Sequence, residues 1–374
     1  MADLTKQPSG RIMQLAHVIL ENISKIDTYL KENGLPDLSL HPNAPPMVKL
    51  PQEAELNLQQ ALTAMDELNV LLLGPLGWLK LQVGHAYNLV SLHAMYHYDI
   101  TDRFAVGQEK SLQDIAVACG VNEDSMSRIL QHAVANHLLA QPRPGYVSHN
   151  ACSALLSQSP ALKDWVGSVC EDLWPAASRV IPALNKWPDL PALPTHTAFN
   201  LAENTTEPFF HALAGDKPRT RRFASAMGLM QNMPGFEASA ALDAYNWAAL
   251  GSATVVDVGG SQGVFACALK RKYPDLRVIV QDLPEVVAAA KSHFEAGDAI
   301  GVSLQSHNFF QPQPLRDVDV YFFRLILHDW PDEYCSRILQ ALTPALKPGA
   351  RIILNDFTVP TAGSLPLFQE RQIR

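Results

Sequence analysis

One stretch constrains the chain more than any other. In residues 250–360 the runs TVVDVGG, RVIVQD, VSLQS, DVYFFRLIL and ARIILNDF are apolar and of β-branched type. Helical stretches separate most of them, including PEVVAAAKSHF and EYCSRILQAL. A strand that is apolar on both faces must be covered on both faces. The order β-α-β-α-β-β-α-β therefore predicts a mostly parallel sheet buried between helices and joined by right-handed crossovers. Sheets of this kind take their ligands at the carboxyl ends of the strands.

The first such strand end is glycine-rich: Asp257-Val258-Gly259-Gly260-Ser261-Gln262-Gly263. Glycines there let the backbone turn sharply and let a ligand approach closely. A dinucleotide fingerprint would need a glycine at 258, which is valine, so NAD and FAD are disfavoured. The G-K-[ST] of a phosphate-binding Walker loop is also missing. The second strand ends in Asp282, 25 residues after Asp257, where an acid can accept hydrogen bonds from a ribose diol. Asp282 can equally cap the helix that begins near Pro284. Asp257 can orient the loop or face a ligand cation.

The amino-terminal part reads as helical. Ile12, Leu15, Ile19, Ile23, Ile26 and Leu30 form a stripe over residues 10–32, closed by Gly34 and Pro36. A second long helix is expected from residue 53 to about 73. Residues 83–155 have the pattern of a winged helix-turn-helix. Ser111 and Asn122 are candidate caps, Gly120-Val121 the turn, and LAQPRPGYVSHN a hairpin with Gly145 at its tip. As a DNA reader it is poorly equipped: Glu123 and Asp124 open the second helix, and Arg128 is its only Arg or Lys.

Composition agrees. With 37 acids against 29 bases the net charge is −8, opposite to that of a nucleic-acid binder. An apolar fraction of 47% suffices for a large core. Five cysteines lack any CxxC pair, which predicts reduced thiols rather than a disulfide framework or zinc site. No His or acidic cluster suggests a metal, so the expected chemistry is metal-free. The start, MADLTKQPSGR, is polar and gives no signal peptide, which leaves the cytoplasm as the default. The apolar run 70–81 is broken by Gly74, Pro75 and Gly77, contains Lys80, and is too short to span a membrane.

Four motifs in this order and spacing, DVGGSQG, QDLP, HNFFQPQP and YFFRLILHDWPDE, resemble the S-adenosylmethionine (SAM)-dependent O-methyltransferases of the plant caffeic-acid type, and most of all their fungal branch serving secondary metabolism. The resemblance spans essentially the whole chain. It implies an α/β fold: a Rossmann-like SAM-methyltransferase sheet preceded by an all-α and winged-helix dimerisation domain. Domains are then expected at 1–160 (dimerisation), 161–249 (connector and substrate-pocket helices) and 250–374 (SAM-binding, catalytic). It further implies SAM as cofactor, a small-molecule substrate, and a homodimer through the N-terminal helices, with no nucleic acid or membrane partner. Gly259, Gly260 and Gly263 match the family's SAM loop, with Asp257 at its start, and Asp282 its ribose-binding acid. Asn308 stands where the family usually has an Asp holding the adenine amino group. Arg324 stands where plant members have a Lys at the SAM site. His328 matches the catalytic base, and Asp356 stands near the Glu that braces it. The resemblance also implies several dozen further residues carrying two closing strands. Without them ARIILNDF is expected to be an apolar edge strand.

The chemistry suits these residue types. Methyl transfer to oxygen requires alignment of donor and acceptor and removal of the acceptor's proton, which a His within hydrogen-bond reach can take. A carboxylate on its other nitrogen would fix the tautomer. Asp329 reads as a cap or structural bond and Trp330 as packing. Phe209, Phe210, Phe223, Met227, Met230 and Met233 are candidates for the acceptor pocket, although such residues at helical spacing are more often plain core. His132 reads as structural or pocket-lining. Two other readings stay open: SAM-binding chemistry without methyl transfer, such as dehydration or pericyclic rearrangement, and a non-catalytic dimer.

Overall fold

The computed structural model describes residues 10–188, 193–231, 233, 236–294 and 301–373. They form two compact units, Met1–Ser159 with Val359–Arg374, and Pro160–Thr358.

In the first unit α1 (Arg11–Glu32) packs along α2 (Gln52–Gly84). The stripe predicted on α1 divides: Leu15, Ile26 and Leu30 are buried, whereas Ile12 and Ile23 are 47% and 44% exposed. The second helix ends its first segment at residue 73 as expected, at a kink. Gly74 takes φ 63°, ψ 174°, and a second helical segment resumes at Pro75 and runs to Gly84. A glycine supplies the non-helical step, and a proline at the first position of the new segment loses no hydrogen bond. The apolar run 70–81 is thus a bent helix, and no described helix is long and apolar enough to cross a membrane.

Next come α3 (Asn88–His97), β1 (Glu109–Ser111), α4 (Leu112–Cys119), α5 (Glu123–Ala135), β2 (Tyr146–Ser148) and α6 (Ala151–Gln158). The caps fall where the sequence puts them: Ser111 accepts from the Asp114 amide at 3.0 Å, and Asn122 from that of Ser125 at 3.2 Å. The expected hairpin over 139–150 is reduced to one bridge, Ala140 with Ser148; β2 pairs instead with β1, antiparallel. The C-terminal helix Leu367–Ile373 returns to α2, where Gln369 donates to Gln59 at 3.2 Å and Arg371 pairs with Asp66.

The second unit begins with α7 (Pro160–Ser168), a π-helical turn (Val169–Leu173), α8 (Trp174–Ala177), α9 (Val180–Lys186), α10 (Ala198–Glu203), α11 (Phe209–Ala214), α12 (Lys217–Met230) and α13 (Ala238–Ala244). The sheet follows: β3 (Thr254–Val258), α14 (Val264–Lys272), β4 (Arg277–Asp282), α15 (Pro284–His293), β5 (Val302–Ser306), β6 (Val320–Arg324), α16 (Asp332–Leu342) and β7 (Arg351–Asn355). All pairings are parallel, in the order β5-β4-β3-β6-β7. Both faces of the three central strands, β4, β3 and β6, are buried as the sequence predicts. Val255, Val280 and Phe322 pack with Trp247 and Phe265 on one side, and Val256, Ile279 and Tyr321 with Ile338 on the other. At the edge, Ile352 and Leu354 of β7 are 39% and 50% exposed.

A polar link sits inside this apolar sheet. The Gln281 amide donates to Gln305 at 2.8 Å and exchanges two 2.9 Å bonds with Gln313. Gln281 and Gln313 are 1% and 5% exposed. Gln281→Leu removes one member and leaves the others short of partners in a dry site. It is expected to cost about 1–3 kcal/mol in urea unfolding; an unchanged midpoint would show that the amides re-pair.

Candidate functional site

The site is built at the carboxyl ends of β3, β4 and β6. Past β3 the chain turns with Gly259 at φ 73°, and the amides of Gly259 and Gly260 donate to the Gln281 carbonyl at 2.7 and 3.3 Å. A Cβ on Gly259 would lie 2.5 Å from Ile326 Cδ1, and one on Gly260 2.6 Å from Asp257 Oδ2. A side chain at either position would force its neighbours to shift, and at Gly259 it would also strain the backbone. Gly263, φ 72°, opens α14.

Asp282 is not the cap of α15. Its Oδ2 accepts from the Ser261 amide and its Oδ1 from the Leu283 amide, each at 2.8 Å, while Leu283 occupies the cap position. The carboxylate therefore ties the glycine loop to the end of β4. Burial raises its pKa, and the two amides act against that rise. Asp257, 2% exposed, is pushed up to about 7 by burial; the Arg324 guanidinium pulls it down and Asp282 pushes it further up. Arg324, at the end of β6, donates to the Phe236 carbonyl, and its buried Nε has no partner among the described residues. Burial lowers its pKa and Asp257 works against that. Asn308 lies two residues past Ser306, the register partner of Asp282, and its Oδ1 accepts from the Phe310 amide at 3.0 Å.

His328 stands on a short 3-10 turn (Leu327–Asp329) that leaves β6 through Leu325, whose φ of 56° is an outlier for a bulky residue. Its Nδ1 is 2.5 Å from Asp356 Oδ1. The other oxygen of Asp356 accepts from the amides of Leu327 and His328 at 2.9 and 3.1 Å. One carboxylate, just past β7, thus fixes both the imidazole and the turn beneath it. The Cys335 thiol on α16 pins the same turn, donating to the carbonyls of Leu327 and Trp330 at 3.3 and 3.2 Å.

Asp329 does more than cap. Its Oδ1 lies 3.3 Å from His328 Nε2, so the ring sits between two carboxylates. Its pKa is raised to about 9, first by the bond to Asp329 and then, against the effect of burial, by Asp356. Asp356 is held below its ordinary value: His328 and the backbone amides outweigh burial.

Aromatic rings surround this turn. Phe357 is 5.3 Å from the His328 ring and 5.0 Å from Phe236. Trp330 touches Phe310 at 4.7 Å and Phe210 at 6.1 Å, and Phe210 and Phe209 both meet Phe223 of α12. Phe209, Phe210 and Phe223 are therefore one cluster, next to the His328 turn. Met227 and Met230 lie half-buried on the same helix, and Met233 half-buried beyond it. A cavity of about 80 Å³ is lined by Phe236, Glu237, Arg324, Asp356 and Phe357, among others. His132 belongs to the other unit, where its Nδ1 is 2.7 Å from Ser91 Oγ. Sequence reasoning missed Ile326, Phe236, Phe357 and Cys335. Only the first and third could have been noticed, as apolar residues directly past two strand ends.

The sequence profile of a family described as O-methyltransferase domain matches residues 195–372. Chlorophenol O-methyltransferase of Trichoderma longibrachiatum is 35% identical over 99% of this chain and 80% of its own length. The grayanic acid biosynthesis cluster O-methyltransferase of Cladonia grayi is 35% identical over 98% and 77%. Among solved structures, LepI in complex with SAM superposes with a TM-score of 0.70 at 25% identity, covering 96% of this chain and 87% of that one. OxaC, at 18% identity and TM-score 0.76 over 94% and 86%, shares the fold.

Proposed function

The chain belongs to the O-methyltransferase family, and we propose that it methylates a hydroxyl of a small phenolic or enolic metabolite with His328 as general base. That it is a SAM-dependent O-methyltransferase of secondary metabolism follows from the family. The acceptor class and the base are our reading. The observation that carries it is the His328–Asp356 pair, 2.5 Å apart, beside a glycine loop at the strand ends. A relative named for chlorophenol supports a phenolic acceptor.

The residues present fit SAM. The loop at Gly259 and Gly260 has no room for side chains of its own and offers bare backbone. Each oxygen of Asp282 accepts one amide and keeps a lone pair for a ribose hydroxyl. Arg324 keeps a buried donor to offer. In this reading Gly259, Gly260 and Gly263 line the cofactor, Asp282 takes the ribose, and Asn308 accepts from the adenine amino group. Asp257 supports the loop from behind, and Arg324 turns its free donor to the cofactor. Bound SAM supplies an electrophilic methyl and a neutral leaving group. His328 takes the acceptor's proton at Nε2, the nitrogen turned to Asp329. Asp356 holds the Nδ1 proton and stabilises the imidazolium that forms. Phe210, Phe223 and Trp330 wall the acceptor. The exposed apolar residues of the bent helix, Leu72, Leu76 and Leu79 among them, together with those of α1, are taken as a homodimer face.

The test is transfer of labelled methyl from SAM to a panel of phenols that includes chlorophenol. A labelled product supports the reading, and a product of unchanged mass overturns it. One observation favours a second reading. A His held between two carboxylates is protonated at neutral pH and can act as an acid in rearrangement or dehydration, and a structure described as a pericyclic reaction enzyme is 25% identical with a TM-score of 0.69. The pH profile separates the two. A base works unprotonated, so with a pKa of about 9 roughly one His328 in a hundred is competent at pH 7. Methyl transfer is then expected to rise with pH towards about 9 and level off. An acid gives the opposite sign: activity flat below that pH and falling above it.

A further inference from the structure

The π-helical turn Val169–Leu173 lies far in sequence from the chemistry, yet it carries a buried acid held by two arginines. Asp172 is 1% exposed. Arg219 donates to its Oδ1 from Nε at 2.8 Å, and Arg222 to its Oδ2 at 2.9 Å. Arg222 also pairs with Glu171, and Arg219 with Glu203 at 3.1 Å. The extra residue of a π turn lets two adjacent acids, Glu171 and Asp172, both meet arginines of one helix. Such turns recur at functional positions. Stability alone is a poor reason for this network, because buried ion pairs can often be replaced by apolar residues without loss. What the pairs do provide is a fixed position.

The helix so fixed is α12. Phe223 follows Arg222 directly, and its ring packs on Phe209 and Phe210, at 5.4 and 6.0 Å. Phe210 in turn touches Trp330, two residues from His328. A packed path therefore leads from Asp172 through α12 to the aromatic wall beside the base. We propose that Asp172, clamped by Arg219 and Arg222, is a positioning residue that sets α12 and hence the shape of the acceptor wall. This rests on the reading of Phe210 and Phe223 as acceptor-facing.

The test is Asp172→Asn, assayed with the phenol that the wild type methylates fastest. The KM for that phenol is expected to rise about tenfold, because small displacements of positioning groups are costly. The KM for SAM should stay within about a factor of two, since the glycine loop is untouched. Unchanged phenol KM, or equal losses for both substrates, overturns the proposal and leaves the clamp a purely structural one. If Asp172→Asn does not fold, Arg222→Lys carries the same test: it keeps the charge but cannot grip both acids. Phe223→Ala separates the two layers of the argument. If it leaves the phenol KM unchanged, the acceptor wall itself is misassigned. If it raises that KM while Asp172→Asn does not, the clamp alone fails.

Discussion

His328→Ala is expected to lower kcat for methyl transfer by about 10²–10⁴-fold, the usual contribution of a positioned base, with S-adenosylhomocysteine affinity little changed. The ring contacts Asp356, Asp329 and Phe357, none of which forms the glycine loop, so its removal should not touch the cofactor side. Calorimetry and turnover together check both halves. Wild-type turnover in the variant would remove His328 from the mechanism. Asp356→Asn should fail differently. Its carboxylate also receives the amides of Leu327 and His328, so losing the charge weakens the turn as well as the base. The plateau of the pH profile should fall and its midpoint move below about 9 towards the ordinary imidazole range.

Gly260→Ala is expected to lower S-adenosylhomocysteine affinity by about ten- to a hundredfold, matching the 1–3 kcal/mol typical of forced repacking. The added methyl would sit 2.6 Å from Asp257 Oδ2 and 3.0 Å from Val280 Cγ1. Neither neighbour has room to yield: Asp257 is 2% exposed and Val280 fully buried. The loop must move instead, and with it the Ser261 amide that Asp282 holds. Gly84→Ala serves as the control, since its Cβ would meet nothing within 4 Å and lies in a helix. Wild-type affinity in Gly260→Ala would mean that the loop does not form the cofactor cradle.

The sheet was legible because its strands are apolar on both faces, a pattern few other structures tolerate. The glycine loop was legible for a related reason: any other residue at Gly259 or Gly260 crowds its neighbours. Both caps, Ser111 and Asn122, could be read because capping is local. What escaped was set by tertiary contact. Gly74-Pro75 reads as a stop, but a new helical segment starts there. The strand Tyr146–Ser148 chose a partner 37 residues upstream over its own hairpin arm. Asp329 looked like a cap because nothing in HDW says which way a carboxylate turns. The Asp172 clamp was invisible, since pairing EDL with KPRTRR requires knowing that α7 and α12 are neighbours.

In the proposed reading the brace of the base hangs from a strand at the edge of the described sheet. Asp356 follows β7, which among the described residues has β6 as its single neighbour and turns Ile352 and Leu354 towards solvent. Such margins exchange their amide hydrogens by local opening, well before the centre of a sheet does. Opening of β7 would free His328 from Asp356 while leaving in place the glycine loop, mounted on the central strands. Heat should therefore silence this enzyme in two stages: catalysis fades while the cofactor is still held, and only later does the fold give way.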